Sequence, residues 1–424
     1  MKILVVGSGG REHTLCWKMV QSPMVTKIYC TPGNAGISSV AETIPIDPSS
    51  ISELSDFGAE KRIDLTVVGP ELPLILGLFD EFQKRGLKVF GASAEAARLE
   101  GSKVFAKEFM ARKRIPTADF RVFDSPDAAV SFLKSKECRY PTVVKADGLA
   151  AGKGVIICQN RSEAEDAVRK MMVEKIFGAS GERIIIEDCL QGREVSFLLL
   201  SDGEEFIPLA SSQDYKRALD NDEGPNTGGM GSYSPSAHLS PGEHRKILDE
   251  IVEPTITGMM EDGRRFKGIL YCGLMLTDKG PRVLEYNVRF GDPEAQVILP
   301  RMESDLVPLL LACAGGSLKG MDIKWSDGAS VCVVMASGGY PGSFEKGKLV
   351  KGLNLIKEDD RLQVFHAGTS FNRDGDIVTS GGRVLGINAL GETIEVARNR
   401  AYDCVGKICF EGMHFRKDIA LDAL

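Results

Sequence analysis

The sequence predicts a multidomain protein of mixed α/β and α+β class, with a parallel sheet in its N-terminal domain. Over the first hundred residues, short apolar runs alternate with amphipathic segments, which is typical of a parallel sheet covered by helices. Beyond residue 101 the pattern changes to paired strands and short helices, which indicates α+β architecture. A chain of 424 residues has room for about two to four domains of ordinary size.

The first predicted domain covers residues 1–101. Glycine-rich turns at 7–10 and 32–36 follow its first two strands. Because the carboxyl ends of parallel strands meet at one edge of a sheet, we expect a ligand crevice there. The predicted strands are Ile3–Val6, Lys27–Cys30, Asp64–Val68 and Lys88–Phe90, and the predicted helices are Arg11–Val20 and Leu74–Lys84.

The second predicted domain covers residues 102–325, with a smaller lobe inserted at about 121–190. Ser102 is expected to cap its first helix. In the lobe we expect strands and a capping box, and after it a hairpin around Asp202-Gly203. These elements are Thr142–Lys145, Val155–Cys158, the box Ser162–Glu165, Arg183–Glu187, and the hairpin strands Glu194–Leu200 and Phe206–Ala210.

The last predicted domain, residues 326–424, is a small α+β unit. Ala329–Ala336 is continuously apolar and is expected to be a buried strand. An amphipathic helix is predicted at Thr393–Lys407.

Charge and cysteine usage restrict the function classes. The net charge of −7 argues against a nucleic-acid-binding surface. Ten scattered cysteines, none in a C-x-x-C pair, favour reduced thiols over zinc or disulfides. The N-terminal apolar run is too short for a signal peptide, and the sequence has no apolar run of membrane-spanning length. We therefore expect a cytoplasmic protein that binds neither nucleic acid nor membrane. We also expect it to be a monomer that acts on small molecules.

The turn Gly7-Ser8-Gly9-Gly10 lies between a strand and a helix, as in dinucleotide-binding proteins. The full G-x-G-x-x-G pattern fails because Glu12 stands at its last position. What remains is a helix N-terminus that can hold an anion. A strand-to-helix turn without a ligand is the alternative.

The loop from Gly148 to Gly154 resembles a P-loop but lacks the G-K-[S/T] ending. A strand follows it, so we expect a β-hairpin flap whose amides fold over a triphosphate. Lys145, on the strand before it, can reach phosphate oxygens. An ordinary glycine-rich hairpin is the alternative.

The segment 281–294 carries the strongest metal-site pattern. With strand periodicity, Val283, Glu285, Asn287 and Arg289 share one face, while the opposite face, with Leu284, Tyr286, Val288 and Phe290, is apolar and expected in the core. Carboxylate and amide oxygens suit Mg²⁺ bound together with substrate phosphates. An exposed strand face is the alternative.

A polar stretch precedes this strand. It contains the charged run 213–217 and the glycine-rich run 224–231. Ordered loops of this length are usually functional, so we expect its charged groups to contact substrate, with a solvated surface loop as the alternative.

Together these segments resemble the ATP-grasp superfamily and, within it, the phosphoribosylamine–glycine ligase (glycinamide ribonucleotide synthetase) family. The resemblance covers nearly the whole chain, in order, and the combination of motifs is highly specific. The motifs are V-V-G-S-G-G-R-E-H, P-G-N-A-G, V-V-G-P-E, E-G-S-K, I-P-T-A, K-A-D-G-L-A-A-G-K-G-V, S-Q-D-Y-K-R, G-P-N-T-G-G-M-G, R-F-G-D-P-E, F-H-A-G-T and G-G-R-V.

The resemblance implies a role for each matching residue. Contacts with the phosphates of ATP are implied for Lys107, Lys145 and the flap residues Gly148, Gly152, Lys153 and Gly154. Contacts with adenine are implied for Glu187 and Leu190, and contacts with the ribose for Glu194. Metal binding is implied for Glu285 and Asn287. Substrate contacts are implied for Gly9, Gly10, Asn34, Asp214, Lys216, Arg289 and Asp292, with Asp214, Arg289 and Lys145 closest to the chemistry. The sequence departs from the family pattern at Arg193 and Tyr215.

The implied reaction uses ATP and Mg²⁺ or Mn²⁺ to join glycine to 5-phosphoribosylamine, through glycyl phosphate, in purine biosynthesis. A different ATP-grasp ligase or carboxylase is the nearest alternative, because the nucleotide-binding half is shared. An NAD-dependent oxidoreductase and a non-catalytic nucleotide-binding regulator are alternatives from other classes.

Overall fold

The N-terminal domain is a parallel sheet with helices on both faces. The structure, a computed structural model, describes residues 1–149 and 154–424. Its strand order is β3-β2-β1-β4-β5, and every pairing is parallel. The strands are β1 Lys2–Gly7, β2 Lys27–Pro32, β3 Glu42–Thr43, β4 Leu65–Val68 and β5 Val89–Phe90; the helices are α1 Gly10–Met19, α2 Ile51–Lys61, α3 Glu71–Ile75, α4 Leu78–Lys84 and α5 Ala94–Gly101.

The parallel N-terminal sheet is confirmed, but the single helix predicted at Leu74–Lys84 is wrong. The chain forms two short helices, α3 and α4, which are separated at Leu76-Gly77. Gly77 has φ +87, a left-handed conformation that interrupts an α-helix and that glycine adopts without strain. The prediction failed because apolar periodicity continues across the break.

A smaller antiparallel sheet forms the lobe predicted around residues 121–190. Its strand order is β6-β9-β7-β8, and its own apolar core separates it from the rest of the molecule. The elements are β6 Phe120–Phe123, α7 Pro126–Leu133, β7 Thr142–Ala146, β8 Val155–Cys158, α8 Arg161–Val168 and β9 Ile184–Asp188, and they follow α6 Lys103–Lys113.

Two helix starts test the capping predictions. Ser102 caps α6 as predicted, because its hydroxyl accepts a hydrogen bond from the amide of Phe105 at 3.1 Å. The capping box at Ser162–Glu165 is wrong: Asn160 caps α8 by accepting from the amide of Glu163 at 3.1 Å. Asparagine is as good a cap as serine, so the pattern alone did not decide between them.

The large lobe contains an antiparallel sheet of order β11-β10-β16-β17. Its apolar side chains merge with those of the N-terminal domain into two shared cores, so these two parts pack as one body. The elements are β10 Arg193–Ser201, β11 Phe206–Pro208, α9 Pro241–Ile247, α10 Glu253–Glu261, β16 Gly268–Thr277, β17 Gly280–Asn287, α11 Ala295–Ile298 and α12 Leu306–Gly315. The predicted β10–β11 hairpin around Asp202-Gly203 is confirmed.

The second five-stranded sheet, of order β12-β15-β18-β22-β19, joins two parts of the sequence. Most of it belongs to the third predicted domain, and we refer to it as the third sheet. Strands β12 and β15 come from the polar stretch before residue 235, and they extend a sheet whose other strands lie after residue 328. The remaining elements are β12 Gln213–Asp214, β13 Arg217–Leu219, β14 Glu223–Asn226, β15 Gly231–Ser234, β18 Ala329–Ala336, β19 Leu362–His366, β20 Thr369–Phe371, β21 Ile377–Thr379, β22 Arg383–Gly391 and α13 Ile394–Val405. None of the helices in the described part is long and apolar enough to cross a bilayer.

A buried histidine pair joins the N-terminal domain to this sheet. The amide of His366, in β19, donates to Nδ1 of His13, in α1, at 2.8 Å, and both side chains are buried. Burial lowers the pKa of His13 to about 3, with a further contribution from His366, and burial lowers the pKa of His366 to about 4. Both histidines are therefore neutral in the folded protein near neutral pH.

We predict that this pair makes the protein less stable in mild acid. The folded pKa values lie below the ordinary value of 6.5, so the unfolded state binds more protons as the pH falls. Above pH 6.5 the two histidines do not reduce the free energy of unfolding. Between pH 6.5 and about pH 4 that free energy falls, by at most about 1.4 kcal/mol per pH unit for each histidine. In His13→Asn, the melting temperature should fall less steeply between about pH 7 and pH 5 than in the wild type. Equal slopes would contradict the assignment.

Candidate functional site

A cleft of about 1150 Å³ lies where the N-terminal domain, both lobes of the middle domain and the third sheet meet. Twelve of the residues predicted from the sequence to form the site contribute to its walls. They are Lys107, Lys145, Gly154, Glu187, Leu190, Glu194, Asp214, Lys216, Glu285, Asn287, Arg289 and Asp292. Gly9, Gly10, Asn34 and Gly148 are not among the lining residues, while Gly152 and Lys153 fall outside the described residues.

A buried carboxylate between two lysines forms one wall of the cleft. Glu187, at the end of β9, contacts Lys107 Nζ and Lys145 Nζ, each at 2.5 Å. Burial opposes ionisation of Glu187, but the two ammonium groups outweigh it and lower its pKa. Burial lowers the pKa of Lys107 to about 8. The sequence assigned Glu187 to adenine recognition, whereas its carboxylate faces the two lysines predicted to bind phosphate.

Lys145 also reaches the strand that carries the predicted metal ligands. Its ammonium group donates to the carbonyl of Leu284, in β17, at 3.1 Å. Lys107 donates to the hydroxyl of Thr117 at 2.6 Å. Each lysine therefore uses two of its three N–H donors within the protein, and one remains for a ligand in the cleft.

The first residues of the glycine loop are held against the start of α6. Lys103 donates to the carbonyl of Gly148 at 2.9 Å, and Asp147 accepts from Ser102 Oγ at 2.8 Å and from the amide of Val104 at 3.1 Å. Burial lowers the pKa of Lys103. Lys103 lines the cleft but was missed as a site residue, although it lies in the E-G-S-K motif.

Strand β17 departs from simple alternation at the functional site. A β-bulge shifts the register, so that Gly273 pairs with Glu285 while the next residue of β16 pairs with Val283. Val283 is fully buried in the core, whereas Leu284 lines the cleft, so the predicted faces of these two residues are wrong. A bulge places two residues opposite one and reverses the alternation beyond it, and periodicity cannot reveal this. Glu285 and Asn287 nevertheless both line the cleft.

The oxygens of Glu285 and Asn287 fit a magnesium ion. Burial opposes ionisation of Glu285, but Lys216, Lys145 and other cations outweigh it and lower its pKa, so the carboxylate is charged. Asn287 Oδ1 accepts from Arg289 at 3.1 Å and keeps a second lone pair. Among the described residues, no three His, Cys, Asp or Glu side chains cluster as a protein-only metal site. Two protein oxygens completed by phosphate oxygens are the set that Mg²⁺ prefers.

Arg289 is fixed by two carboxylates that the sequence analysis missed. It contacts Glu71 at 3.2 Å and Glu100 at 2.7 Å, and Glu100 also accepts from the amide of Val288 at 2.8 Å. Burial raises the pKa of Glu100 to about 7, and Arg289 opposes the shift. Glu71 lies in the V-V-G-P-E motif, which was its only signal in the sequence.

The N-terminus of α1, where an anion was expected, faces a carboxylate of the chain itself. Asp292 accepts from the amide of Arg11 at 3.4 Å and from Gln296 at 2.8 Å, and it lies 3.2 Å from Arg383. The amide of Gly9 donates to Glu12 Oε2 at 2.5 Å. Arg383 was missed as a site residue and comes from the G-G-R-V motif of the third sheet.

Asn34 is engaged in a structural role. Its amide nitrogen donates to the carbonyls of Ser8 and His366, each at 2.8 Å, and its oxygen accepts from the amide of Ile37 at 2.9 Å. Asn34 therefore joins the first two loops of the N-terminal domain to β19. Its predicted contact with substrate stays a prediction.

Asp214 is the last residue of β12, Lys216 lies between β12 and β13, and both line the cleft. Lys216 is 3.0 Å from Glu194 and 3.8 Å from Glu285. Burial raises the pKa of Asp214 well above its ordinary value, and the nearby Glu294 adds to the shift while Lys216 opposes it. The cleft thus combines a lysine-rich end, suited to phosphates, with an acidic region suited to a cation.

Models of the three domains of phosphoribosylglycinamide synthetase match this chain in order. The N domain matches residues 1–100, the ATP-grasp (A) domain residues 101–295 and the C domain residues 330–422. A relative from Caldanaerobacter subterraneus subsp. tengcongensis, named phosphoribosylamine–glycine ligase, is 49% identical over 99% of this chain and 99% of its own.

Solved structures show the same architecture. The crystal structure of phosphoribosylamine–glycine ligase from Thermotoga maritima has a TM-score of 0.86 and 36% identity, and the match covers 99% of this chain and 100% of that one. The biotin carboxylase domain of Hydrogenobacter thermophilus 2-oxoglutarate carboxylase, solved with MgADP, ADP and bicarbonate, has a TM-score of 0.75 at 18% identity, over 98% of this chain and 91% of that one. The second likeness shows the fold alone. On its full-length matches, this chain belongs to the phosphoribosylglycinamide synthetase family.

Proposed function

We propose that this protein is an ATP-dependent ligase that joins glycine to 5-phosphoribosylamine, giving glycinamide ribonucleotide, ADP and phosphate in purine biosynthesis. One observation carries most of the proposal. Lys145, predicted to bind phosphate, contacts the carbonyl of Leu284, the residue next to the predicted metal ligand Glu285. The phosphate-binding and metal-binding predictions therefore converge on one point of one cleft.

The chemistry requires two displacements. A glycine carboxylate oxygen bonds to the γ-phosphorus of ATP while the bond from that phosphorus to the β–γ bridging oxygen breaks, so ADP leaves. The amine of phosphoribosylamine then attacks the carbonyl carbon of glycyl phosphate. A C–N bond forms, the C–O bond to phosphate breaks, and the amine loses a proton. Neither displacement requires a covalent enzyme nucleophile.

The residues of the cleft supply positioning and charge. Lys107 and Lys145 each have one free N–H for ATP phosphates, and Glu187 holds both ammonium groups in place. Arg289, oriented by Glu71 and Glu100, is suited to hold a carboxylate or phosphate. Mg²⁺, or Mn²⁺, held by Glu285 and Asn287 would neutralise charge on the phosphates.

The substrate assignment favours the region around α1 for the phosphoribosyl group. Gly9 and Gly10 lie beside Asp292, whose carboxylate is 3.2 Å from the guanidinium of Arg383. Asn34 donates to the carbonyl of Ser8, the residue before Gly9. A phosphate arriving there would compete with Asp292 for Arg383. This assignment rests on the family motifs and on the position of Arg383 in the cleft.

We further propose a monomer that works in the cytoplasm. All ten cysteines are unpaired in the structure, which suits a reducing compartment. An NAD-dependent oxidoreductase is disfavoured, because Glu12 stands where the dinucleotide-binding pattern requires its third glycine. Another ATP-grasp activity is disfavoured by the full-length match to relatives named phosphoribosylamine–glycine ligase.

The direct test is a coupled assay for ADP release. We expect release with ATP and Mg²⁺ only when glycine and freshly prepared phosphoribosylamine are both present, because the acyl phosphate should be protected from water until the amine arrives. Mass spectrometry should detect glycinamide ribonucleotide in equal amount to ADP. Release that needs neither substrate, or no release at all, would refute the proposal.

Glu285→Ala should abolish turnover with little change in melting temperature, because the side chain is at the cleft surface and supplies charge for the reacting phosphates. We expect kcat to fall about 100-fold or more, the usual size of a lost electrostatic contact to the transition state. The assay is run at saturating Mg²⁺. A near-normal rate there would show that Glu285 does not bind the metal.

Lys145→Ala should weaken ATP binding by about tenfold or more, as expected for one charged hydrogen bond to phosphate. Isothermal titration with a non-hydrolysable ATP analogue measures this directly. Lys134→Ala is the matched control, since Lys134 is an exposed lysine of the same lobe. Equal affinity of the Lys145 variant and the control would remove Lys145 from the nucleotide site.

A further inference from the structure

Four side chains form a continuous hydrogen-bonded chain at the edge of the cleft, and none has a role in the reaction described above. Arg193 Nη1 lies 2.7 Å from Nδ1 of His238, and His238 Nε2 lies 3.1 Å from Asp422 Oδ2. The hydroxyl of Tyr215 donates to Asp422 Oδ1. We refer to Arg193, His238, Asp422 and Tyr215 as the Asp422 network.

The direction of every bond in the network follows from chemistry. A guanidinium can only donate, so Nδ1 of His238 accepts from Arg193. The neutral ring therefore carries its hydrogen on Nε2, which donates to the carboxylate of Asp422. The hydroxyl of Tyr215 accepts from the amide of Ala420 at 2.9 Å and gives its own hydrogen to Asp422. Asp422 is thus the common acceptor of both arms.

The network runs alongside an ion pair of the proposed active site. Arg193 directly precedes Glu194, and Tyr215 directly precedes Lys216, and the charged groups of Glu194 and Lys216 are 3.0 Å apart. Asp422 therefore links the two backbone segments from which this pair projects. Three network members, all except Tyr215, line the cleft.

The segment that carries Asp422 is itself held firmly in place. Arg416, almost completely buried, contacts Asp418 at 2.6 Å and Asp222 at 2.7 Å, and its guanidinium lies 4.9 Å from the ring centroid of Tyr215. Ile419 and Ala420 are fully buried, so the backbone that leads to Asp422 is anchored in the core.

We propose that Asp422 is a positioning residue that sets the geometry of Glu194 and Lys216 for the ribose of the bound nucleotide. The inference rests on the proposed function, which places the nucleotide beside Glu194. The side chains of Glu194 and Lys216 are 42% and 30% exposed, and a single ion pair with that access to water is not ordered by its own attraction. Asp422 is 47% exposed, but it accepts from two donors, His238 and Tyr215. Fixing the preceding residue on each side restricts the backbone of both partners.

Asp422→Ala should raise the KM for ATP about tenfold, because a displaced Glu194 loses one charged hydrogen bond to the ribose. The kcat and the KM for glycine should change little, because Asp422 lies at the nucleotide end of the cleft. The matched control is Asp374→Ala, which removes an exposed aspartate of the same domain from the β20–β21 turn. The control should keep all three wild-type values.

A double-mutant cycle separates positioning from a general loss of stability. Tyr215→Phe removes only the hydroxyl, and Arg193→Ala removes the far end of the other arm. Each substitution alone should raise the KM for ATP. In the Asp422→Ala background, each should raise the KM by a smaller factor than it does alone, because both act through the same carboxylate. Assays are run well below the melting temperature of every variant.

The outcomes distinguish the two proposals. Wild-type ligation together with an unchanged KM for ATP in Asp422→Ala overturns the positioning role alone. Fully additive effects, or equal changes in all kinetic constants, also overturn it, because they indicate a structural role. A wild-type protein without ligase activity refutes the proposed function; binding of an ATP analogue then tests Asp422 independently, and unchanged affinity in the variant overturns its role.

Discussion

The geometry of the cleft depends on the buried carboxylate of Glu187 between Lys107 and Lys145. The three residues come from β9, α6 and β7, and Lys145 also contacts β17 through the carbonyl of Leu284. Removing one member of such a buried group leaves an uncompensated charge, at a cost of about 3–5 kcal/mol. The small lobe is thereby fixed to the large lobe at the point where phosphates are proposed to bind. The trio carries a net single positive charge, so an arriving phosphate reduces the electrostatic imbalance.

The same arrangement recurs elsewhere in the cleft: a cationic side chain that lines the cleft also contacts one or two carboxylates of the protein. Glu71 and Glu100 hold Arg289, and Asp292 lies beside Arg383. Because these groups are already oriented, little reorganisation is needed when charge develops during phosphoryl transfer. The carboxylates also limit repulsion among the cations before any ligand is present, which allows so many charges to share one cleft.

The local pattern of the sequence predicted most strands well, because buried strands and the glycine turns between them have short-range signals. The prediction failed where contacts between distant parts of the sequence determine which way a side chain faces or which residues it contacts. The bulge in β17 buries Val283 and exposes Leu284, contrary to simple alternation. Glu71 and Glu100 were missed because their relation to Arg289 exists only across about 200 residues of sequence. The implied role of Glu187 in adenine recognition could not anticipate that its side chain holds two lysines.

Long-range contacts also explain why single positions can mislead. Arg193 and Tyr215, the two departures from the family pattern, are far apart in sequence, yet both belong to the Asp422 network. A basic residue before Glu194 has a partner here because His238 presents an acceptor to it. A tyrosine at position 215 reaches Asp422 because its hydroxyl extends past the ring to the segment 420–422. Substitutions that look independent along the chain are therefore coupled through one carboxylate, and each should be judged with the other present.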